Sequence, residues 1–153
     1  MNDLIQISLA DRQALNAIDT LERNCFPGHC YPDFFFRQAL DCWPNGFLVA
    51  KDEENNILGY LLASSSDDPS VVWILSIAVA DSARGKGVGT KLISQFLTTL
   101  PQGVNQVNLT VAPDNPAKAL YSRIGFVEIG FESDYFGDNE PRLLMSYHKS
   151  SDS

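Results

Sequence analysis

Apolar residues along the chain repeat with two spacings, and each spacing predicts one kind of element. Alternating or continuous apolar runs of strand length occupy residues 4–9, 47–51, 57–63, 71–79, 104–111, 126–131 and 142–148. Apolar residues three or four positions apart, as on one face of a helix, occupy residues 10–24, 32–42, 90–100 and 116–123. Because strands and helices are intermixed, the pattern predicts a mixed α/β layer fold with a central sheet.

The length and composition of the chain predict one globular domain. It has 153 residues, of which 44% are hydrophobic and 20% are charged. A chain of this size forms one sizeable core by default. We therefore expect a single domain over residues 1–149 and a frayed tail over residues 150–153.

Charge and cysteine content narrow the classes of function. The net charge of −8 argues against a broad nucleic-acid interface, which needs basic patches, and suits cationic substrates such as amines. The cysteines Cys25, Cys30 and Cys42 lack a Cys-x-x-Cys spacing, so we expect reduced thiols and no metal site. The N-terminus lacks a signal-peptide pattern and no apolar run has the length of a membrane span, so we expect a cytoplasmic protein.

A glycine-rich segment, here called the glycine loop, follows the strand predicted at residues 71–79. It reads Arg84-Gly85-Lys86-Gly87-Val88-Gly89-Thr90. Glycines at alternate positions let a ligand approach the backbone, because no Cβ stands in the way. The next helix directs its unpaired N–H groups and the positive end of its dipole at the same loop. With the charges of Arg84, Lys86 and Lys91, these features predict a site for a phosphate-bearing ligand.

Three interpretations of the glycine loop compete when it is considered alone. A Walker loop requires Gly-x-x-x-x-Gly-Lys-Ser/Thr, whereas here Thr90 precedes Lys91. A Rossmann dinucleotide loop requires Gly-x-Gly-x-x-Gly near the first strand, whereas this loop follows the fourth predicted strand. A glycine-rich turn without a ligand is the third interpretation, and the short Gly-x-Gly pattern alone favours it.

The order of motifs over residues 73–131 resembles the GNAT superfamily of acetyl-CoA-dependent N-acetyltransferases. The glycine loop resembles that family's pyrophosphate loop, Arg/Gln-x-x-Gly-x-Gly. The family's Asn…Ala-x-x-Leu-Tyr…Gly-Phe segment is matched by Asn115-Pro116-Ala117-Lys118-Ala119-Leu120-Tyr121 followed by Gly125-Phe126. The resemblance implies a mainly antiparallel central sheet of about six or seven strands, with splayed strands 4 and 5 and helices on both faces.

The same resemblance implies acetyl-CoA as the co-substrate, without a metal. The backbone of residues 77–79 would face its pantetheine arm, and the amides of the glycine loop would hold its pyrophosphate. Asn115 would hydrogen-bond the pantetheine, a role that local capping of the following helix does not exclude. The implied cofactor-binding residues are Ile77, Ala78, Val79, Arg84, Gly85, Lys86, Gly87, Val88, Gly89, Thr90, Asn115, Ala117, Lys118 and Tyr121.

Two residues are candidates for catalysis. Tyr121 lies on the apolar face of its predicted helix, so a core tyrosine is one interpretation. The resemblance implies instead that its hydroxyl donates a proton to the departing CoA thiolate. Related enzymes carry a glutamate or a histidine on strand five, where this chain has Thr110. We therefore expect no strong base there, and Thr110 would at most position a water that relays the proton.

Two further regions resemble the protein N-terminal acetyltransferases, including the ribosomal alanine type. Their first substrate loop is matched by Phe26-Pro27 followed by Tyr31-Pro32-Asp33-Phe34-Phe35, and their Asn-Tyr-Tyr loop by Asp134-Tyr135-Phe136-Gly137. The resemblance implies that four residues contact the acceptor: Phe26, Pro27, Tyr31 and Tyr135. Packing within the loops is the alternative for each of them.

Three functions remain open on the sequence. The first is direct attack of a peptide or protein N-terminus on acetyl-CoA in a ternary complex, since no catalytic Cys-His pair is evident. The second is acetylation of a small amine, such as an amino acid, a polyamine or an aminoglycoside. The third is a CoA-binding module without catalysis. We expect a monomer or homodimer that binds neither nucleic acid nor a membrane.

Overall fold

The structure is a computed structural model that describes residues 4–149. Its strands are β1 (Gln6–Leu9), β2 (Phe47–Lys51), β3 (Ile57–Ser65), β4 (Val71–Val79), β5 (Gln106–Val111), β6 (Val127–Glu132) and β7 (Arg142–His148). Its α-helices are α1 (Leu15–Cys25), α2 (Asp33–Cys42), α3 (Val88–Thr98) and α4 (Ala117–Ile124). The predictions for the N-terminal residues 1–3 and for the tail at 150–153 lie outside the described residues.

The seven strands form one sheet in the order β1-β2-β3-β4-β5-β7-β6. The pairs β1–β2, β2–β3, β5–β7 and β6–β7 are antiparallel, whereas β4 and β5 are parallel. This arrangement confirms the predicted mixed α/β fold with a mainly antiparallel sheet. The parallel register joins residues 71–73 to residues 106–108, so the β4–β5 pairing is confined to the first residues of both strands.

The described residues divide into two compact units, and β4 contributes to both of them. The first unit comprises the residues up to Ala63 together with Ser76–Leu100. The second unit comprises Ser64–Leu75 and the residues from Pro101 onward. The single domain expected from the sequence remains a prediction.

Aromatic side chains form much of the core of the first unit. Phe36 of α2, Phe47 of β2 and Tyr60 of β3 are each 0% exposed, and Phe36 and Tyr60 have ring centroids 5.7 Å apart. Burial of one such side chain contributes about 1.5–3 kcal/mol. The apolar face predicted for α3 is buried as well, with Leu92 and Ile93 at 0% exposed.

The core of the second unit follows the alternation of β5 and β7. Val107, Leu109 and Val111 alternate along β5 and are buried. Met145 of β7 lies opposite Leu109 and is 0% exposed. Phe126, directly after α4, is 2% exposed.

Two helices begin differently from the sequence prediction, each because of its capping residue. α3 begins at Val88 rather than Thr90, because Gly87 caps it in the left-handed conformation with φ 77°. The predicted helix at residues 10–24 is a 3-10 turn (Arg12–Ala14) followed by α1. In that turn, the carboxylate of Asp11 accepts a hydrogen bond from the Ala14 N–H at 3.1 Å.

Three strands also differ in length from the prediction, and one of them, β3, ends at Ser65 rather than at residue 63. β5 begins at Gln106 rather than at residue 104, because the N–H groups of Asn105 and Gln106 donate to the Ser70 carbonyl and the chain before them forms a turn. β1 begins at Gln6 rather than at residue 4. The other bounds agree to within two residues, and Gly125, with φ 127°, ends α4 as expected.

Candidate active site

The glycine loop has the backbone that its glycines predict. Gly85 and Gly87 have φ values of 83° and 77°, a left-handed conformation that costs other residues free energy. A Cβ placed on either residue would contact no atom within 4 Å, so the space beside the loop is open. The glycines are therefore required by the conformation, and a ligand can approach the backbone.

The start of α3 supplies the N–H groups for such a ligand. Its first hydrogen bond runs from the Lys91 N–H to the Gly87 carbonyl at 3.0 Å. The N–H groups of residues 87–90 therefore precede the helical hydrogen bonds, and the capping residue Gly87 has no side chain to satisfy them. Unpaired amides at the positive end of a helix dipole favour an anion, which supports the predicted pyrophosphate site.

The cations of the glycine loop have different surroundings. Arg84 forms an ion pair with Asp81 at 3.2 Å, and both side chains are mostly exposed. Exposed pairs contribute about 0–1 kcal/mol, so Arg84 can exchange this partner for a phosphate at little cost. Lys86 is exposed beside it. Asp81 was not anticipated from the sequence, and it reduces the net positive charge of the loop.

The end of β4 lies beside this loop within the first unit. Ala78 is 5% exposed, whereas Ile77 and Val79 are half-buried. The Val79 carbonyl accepts a hydrogen bond from the Cys25 thiol at 3.6 Å, and Arg84 Nη2 lies 4.0 Å from the Cys25 sulfur. The last residue of α1 therefore contacts both the end of β4 and the glycine loop.

A glycine of β3 permits the close packing of these elements, and sequence reasoning missed it. A Cβ on Gly59 would lie 2.8 Å from the Ala78 carbonyl oxygen and 3.1 Å from Val88 Cγ1. Both distances are shorter than ordinary van der Waals contacts. Gly59 thus lets β3 pack closely against both the end of β4 and the first residue of α3.

Gly59→Ala is expected to weaken CoA binding about 10-fold and to lower the melting temperature. The added methyl group forces the Ala78 backbone and Val88 apart, and overpacking of this kind costs about 1–3 kcal/mol. Titration calorimetry with CoA and thermal unfolding measure both effects. Gly130→Ala in β6 is the control, since its Cβ would meet Leu144 Cβ at an ordinary 3.9 Å. Equal CoA affinities for wild type and Gly59→Ala would contradict this role.

The second unit holds the other predicted cofactor residues around the start of α4. The side-chain oxygen of Asn115 accepts a hydrogen bond from the Ala117 N–H at 2.9 Å. The local capping function is thus present, and the amide nitrogen of Asn115 is not used in that contact. Lys118 pairs with Glu128 at 2.9 Å, a partner ten residues away that the sequence did not suggest.

Tyr121, the predicted proton donor, is a buried residue of α4. The residue is 5% exposed, and its ring centroid lies 6.0 Å from that of Phe126. Among residues 4–149, the Tyr121 hydroxyl makes no hydrogen bond to another protein group. Burial raises the pKa of Tyr121 to about 12. The phenol therefore keeps its proton at neutral pH, as a proton donor must.

The predicted water-positioning residue, Thr110, and the predicted acceptor residues have ordinary packing environments. Thr110 is half-buried on β5 opposite Leu144. Phe26 caps the C-terminus of α1, Pro27 is exposed, and Tyr31 stacks on Phe35 with centroids 4.4 Å apart.

In the second unit, Tyr135 packs edge-on against Phe136, and the two ring centroids are 4.8 Å apart. Tyr31 and Tyr135 thus have the loop-packing contacts of the alternative interpretation, which leaves their acceptor role a prediction.

Two other features, a membrane-spanning helix and a metal cluster, are not found among the described residues. Within residues 4–149, no helix is long and apolar enough to cross the membrane. In the same part of the chain, no three His, Cys, Asp or Glu side chains cluster as a metal site.

Comparison with known proteins agrees with this geometry. Residues 15–126 match the model of the acetyltransferase (GNAT) family. An N-alpha-acetyltransferase of Sulfolobus acidocaldarius is 32% identical over 92% of this chain and 90% of its own length.

Two solved structures share the fold. Ard1 from Thermoplasma volcanium has a TM-score of 0.88 at 21% identity, over 96% of this chain and 99% of its own. A chain of the NatC complex, solved with Gag peptide and CoA, has a TM-score of 0.85 at 19% identity, over 98% of this chain and 100% of its own. The match to the family model over residues 15–126, together with the 32% identical relative, shows that the chain belongs to the GNAT family of acetyltransferases.

Proposed function

We propose that this acetyltransferase transfers the acetyl group of acetyl-CoA to the α-amino group of a peptide or protein N-terminus. The observation that carries the proposal is the set of N–H groups at residues 87–90, which precede the hydrogen bonds of α3 beside two left-handed glycines. These groups suit the pyrophosphate of CoA. The similarity over 92% of the chain to a protein named N-alpha-acetyltransferase supports the choice of acceptor.

The proposed reaction is a direct attack in a ternary complex. The neutral amine attacks the thioester carbonyl, the C–N bond forms, and the C–S bond of the tetrahedral intermediate breaks. The amine loses a proton to solvent, and the Tyr121 hydroxyl donates a proton to the departing thiolate, after which solvent reprotonates the phenolate. In this scheme Asn115 donates its amide N–H to the pantetheine, and the backbone of residues 77–79 aligns the thioester.

The absence of a strong base at Thr110 favours an α-amino acceptor over a lysine. An α-amino group has a pKa near 8, so about a tenth of it is neutral at pH 7. A lysine amine, with a pKa near 10.4, costs about 3.5 kcal/mol more to deprotonate. An enzyme that relies on the solvent for this step therefore acetylates N-termini better than lysine side chains.

For a peptide acceptor, kcat/KM is expected to rise with pH and to reach a plateau near pH 8. Below that pH, the neutral fraction of the α-amino group increases about tenfold per unit. Because burial raises the pKa of Tyr121 to about 12, its proton-donating form persists across this range and is lost only as the pH rises through that value. Initial rates between about pH 6 and 10 test this. A decline that begins near pH 9 would contradict the assignment of Tyr121 as the donor.

An acceptor panel tests the proposed function. Peptides that begin with Ala, Ser or Met and lack lysine are compared with the same peptides blocked at the N-terminus, with polyamines, with amino acids and with aminoglycosides. The proposal predicts acetyl transfer to the free peptides and none to the blocked ones. Turnover confined to small amines would refute the peptide acceptor, and CoA binding without turnover across the panel would indicate a non-catalytic module.

A further inference from the structure

Glu22 of α1 is a buried acidic residue that none of the roles above uses. It is 2% exposed, although carboxylates are rarely buried without several hydrogen bonds. Its Oε2 accepts a hydrogen bond from the backbone N–H of Tyr31 at 2.9 Å. Its Oε1 accepts from the Tyr60 hydroxyl and, at 3.0 Å, from the Ser76 hydroxyl. Glu22 thus joins α1, β3, β4 and the segment before α2, all within the first unit.

The donors around Glu22 match the charge of a carboxylate. Tyr60 is 0% exposed, and burial together with the charge of Glu22 raises the pKa of the Tyr60 hydroxyl. Tyr60 therefore remains a phenol, and its hydroxyl donates a hydrogen bond to Glu22. Ser76 lies 2.8 Å from the Tyr60 oxygen and completes the cluster. Three donors converge on one carboxylate, which offsets the cost of burying it.

The two oxygens of Glu22 hold two regions assigned above to the reaction. One oxygen fixes Tyr31, the end of the segment at residues 26–31 that contains three of the four predicted acceptor residues. The other fixes Ser76, which immediately precedes residues 77–79 of β4. Cys25, one turn later on α1, contacts the Val79 carbonyl. The last turn of α1 therefore contacts β4 at both ends of the run that is proposed to align the thioester.

We infer that Glu22 is a positioning residue for the acceptor amine: its carboxylate holds the segment at residues 26–31 in register with the end of β4. This inference rests on the proposed function, since it assumes that an amine enters along that segment. Glu22 touches neither the thioester nor the amine in this account. It acts through the Tyr31 backbone, so its loss affects acceptor binding more than CoA binding.

Glu22→Met keeps an unbranched side chain of similar length and removes both carboxylate oxygens, so neither the Tyr31 N–H nor the hydroxyl pair keeps its acceptor. We expect the KM for the acceptor peptide to rise about 10-fold, with the KM for acetyl-CoA within about twofold of wild type. Tyr60→Phe is the matched control, because it removes a donor from the same cluster and leaves the bond to Tyr31. Both variants lose stability, but only Glu22→Met is expected to change the KM for the peptide. The inference would be overturned if the KM for the peptide changed equally in both variants. It would also be overturned if the KM for acetyl-CoA rose as much as the KM for the peptide.

Amide hydrogen exchange at Tyr31 provides a measurement that requires no turnover. We expect this N–H to be protected in wild type and in Tyr60→Phe, and to lose about 100-fold of its protection in Glu22→Met. An unprotected Tyr31 amide in wild type would overturn the inference even if the enzyme acetylates peptides. Conversely, wild-type enzyme that acetylates no amine refutes the proposed function, and the exchange result then decides separately whether Glu22 holds this segment. If Glu22→Met does not fold, the wild-type exchange rate still decides that point.

Discussion

Gly89→Trp is expected to weaken CoA binding by about 100-fold or more while leaving the fold intact. Gly89 is the second residue of α3, and its N–H is one of those that precede the helical hydrogen bonds. An indole at this position is expected to occupy the space that is open beside Gly85 and Gly87. The loss of two hydrogen bonds to a charged group, at about 1.5–3 kcal/mol each, accounts for this change in affinity. Titration calorimetry with CoA measures it, and circular dichroism confirms the fold.

The choice of Gly89 and its control separates blockage from strain. Gly87→Trp also blocks the space, but Gly87 has φ 77°, so any bulky residue there adds about 1–3 kcal/mol of backbone strain. Ser94→Trp places the same side chain on an exposed position of α3, away from its N-terminus, and should leave the CoA affinity unchanged. Wild-type CoA affinity in Gly89→Trp, or equal losses of CoA affinity in Gly89→Trp and Ser94→Trp, would contradict the assignment of the loop.

Tyr121→Phe is expected to lower kcat by about 100-fold, within the range that general acid catalysis contributes. The substitution removes the proton donor to the CoA thiolate and keeps the ring, whose packing against Phe126 is preserved. The KM for acetyl-CoA and the melting temperature should therefore stay near their wild-type values. Steady-state kinetics with an acceptor peptide measure the effect.

A second tyrosine offers a matched control for Tyr121→Phe. Tyr147 of β7 packs against Phe126, the same ring that Tyr121 contacts, and the two ring centroids are 5.6 Å apart. Tyr147→Phe removes a hydroxyl from the same aromatic cluster without touching the proposed donor, so kcat should not change. Wild-type kcat in Tyr121→Phe would return Tyr121 to the interpretation of a core residue.

The sheet followed from the sequence where apolar runs are bounded by turn residues. β2, β4 and β7 have the predicted bounds, because Pro44-Asn45-Gly46 and the polar residues around each strand end the apolar pattern. α3 began two residues early, since the left-handed cap at Gly87 depends on backbone geometry that composition does not encode. Local chemistry thus predicted element identity better than element ends.

The candidate site was predicted where it depends on backbone motifs and missed where it depends on long-range contacts. The glycine loop and the capping oxygen of Asn115 are local features, and both have the expected geometry. Glu22, by contrast, lies among charged residues on a helix, and only its distant partners Tyr60 and Ser76 show that it is buried. Contacts between residues 38 or 54 positions apart leave no periodic signal in a single sequence.

The central claim is that the main chain at the start of α3 holds the pyrophosphate of CoA. A crystal structure of the protein with CoA tests this claim most directly. We expect diphosphate oxygens to lie about 2.7–3.2 Å from the backbone nitrogen atoms of residues 87–90. A diphosphate bound at any other part of the chain, with these N–H groups facing solvent, would contradict it.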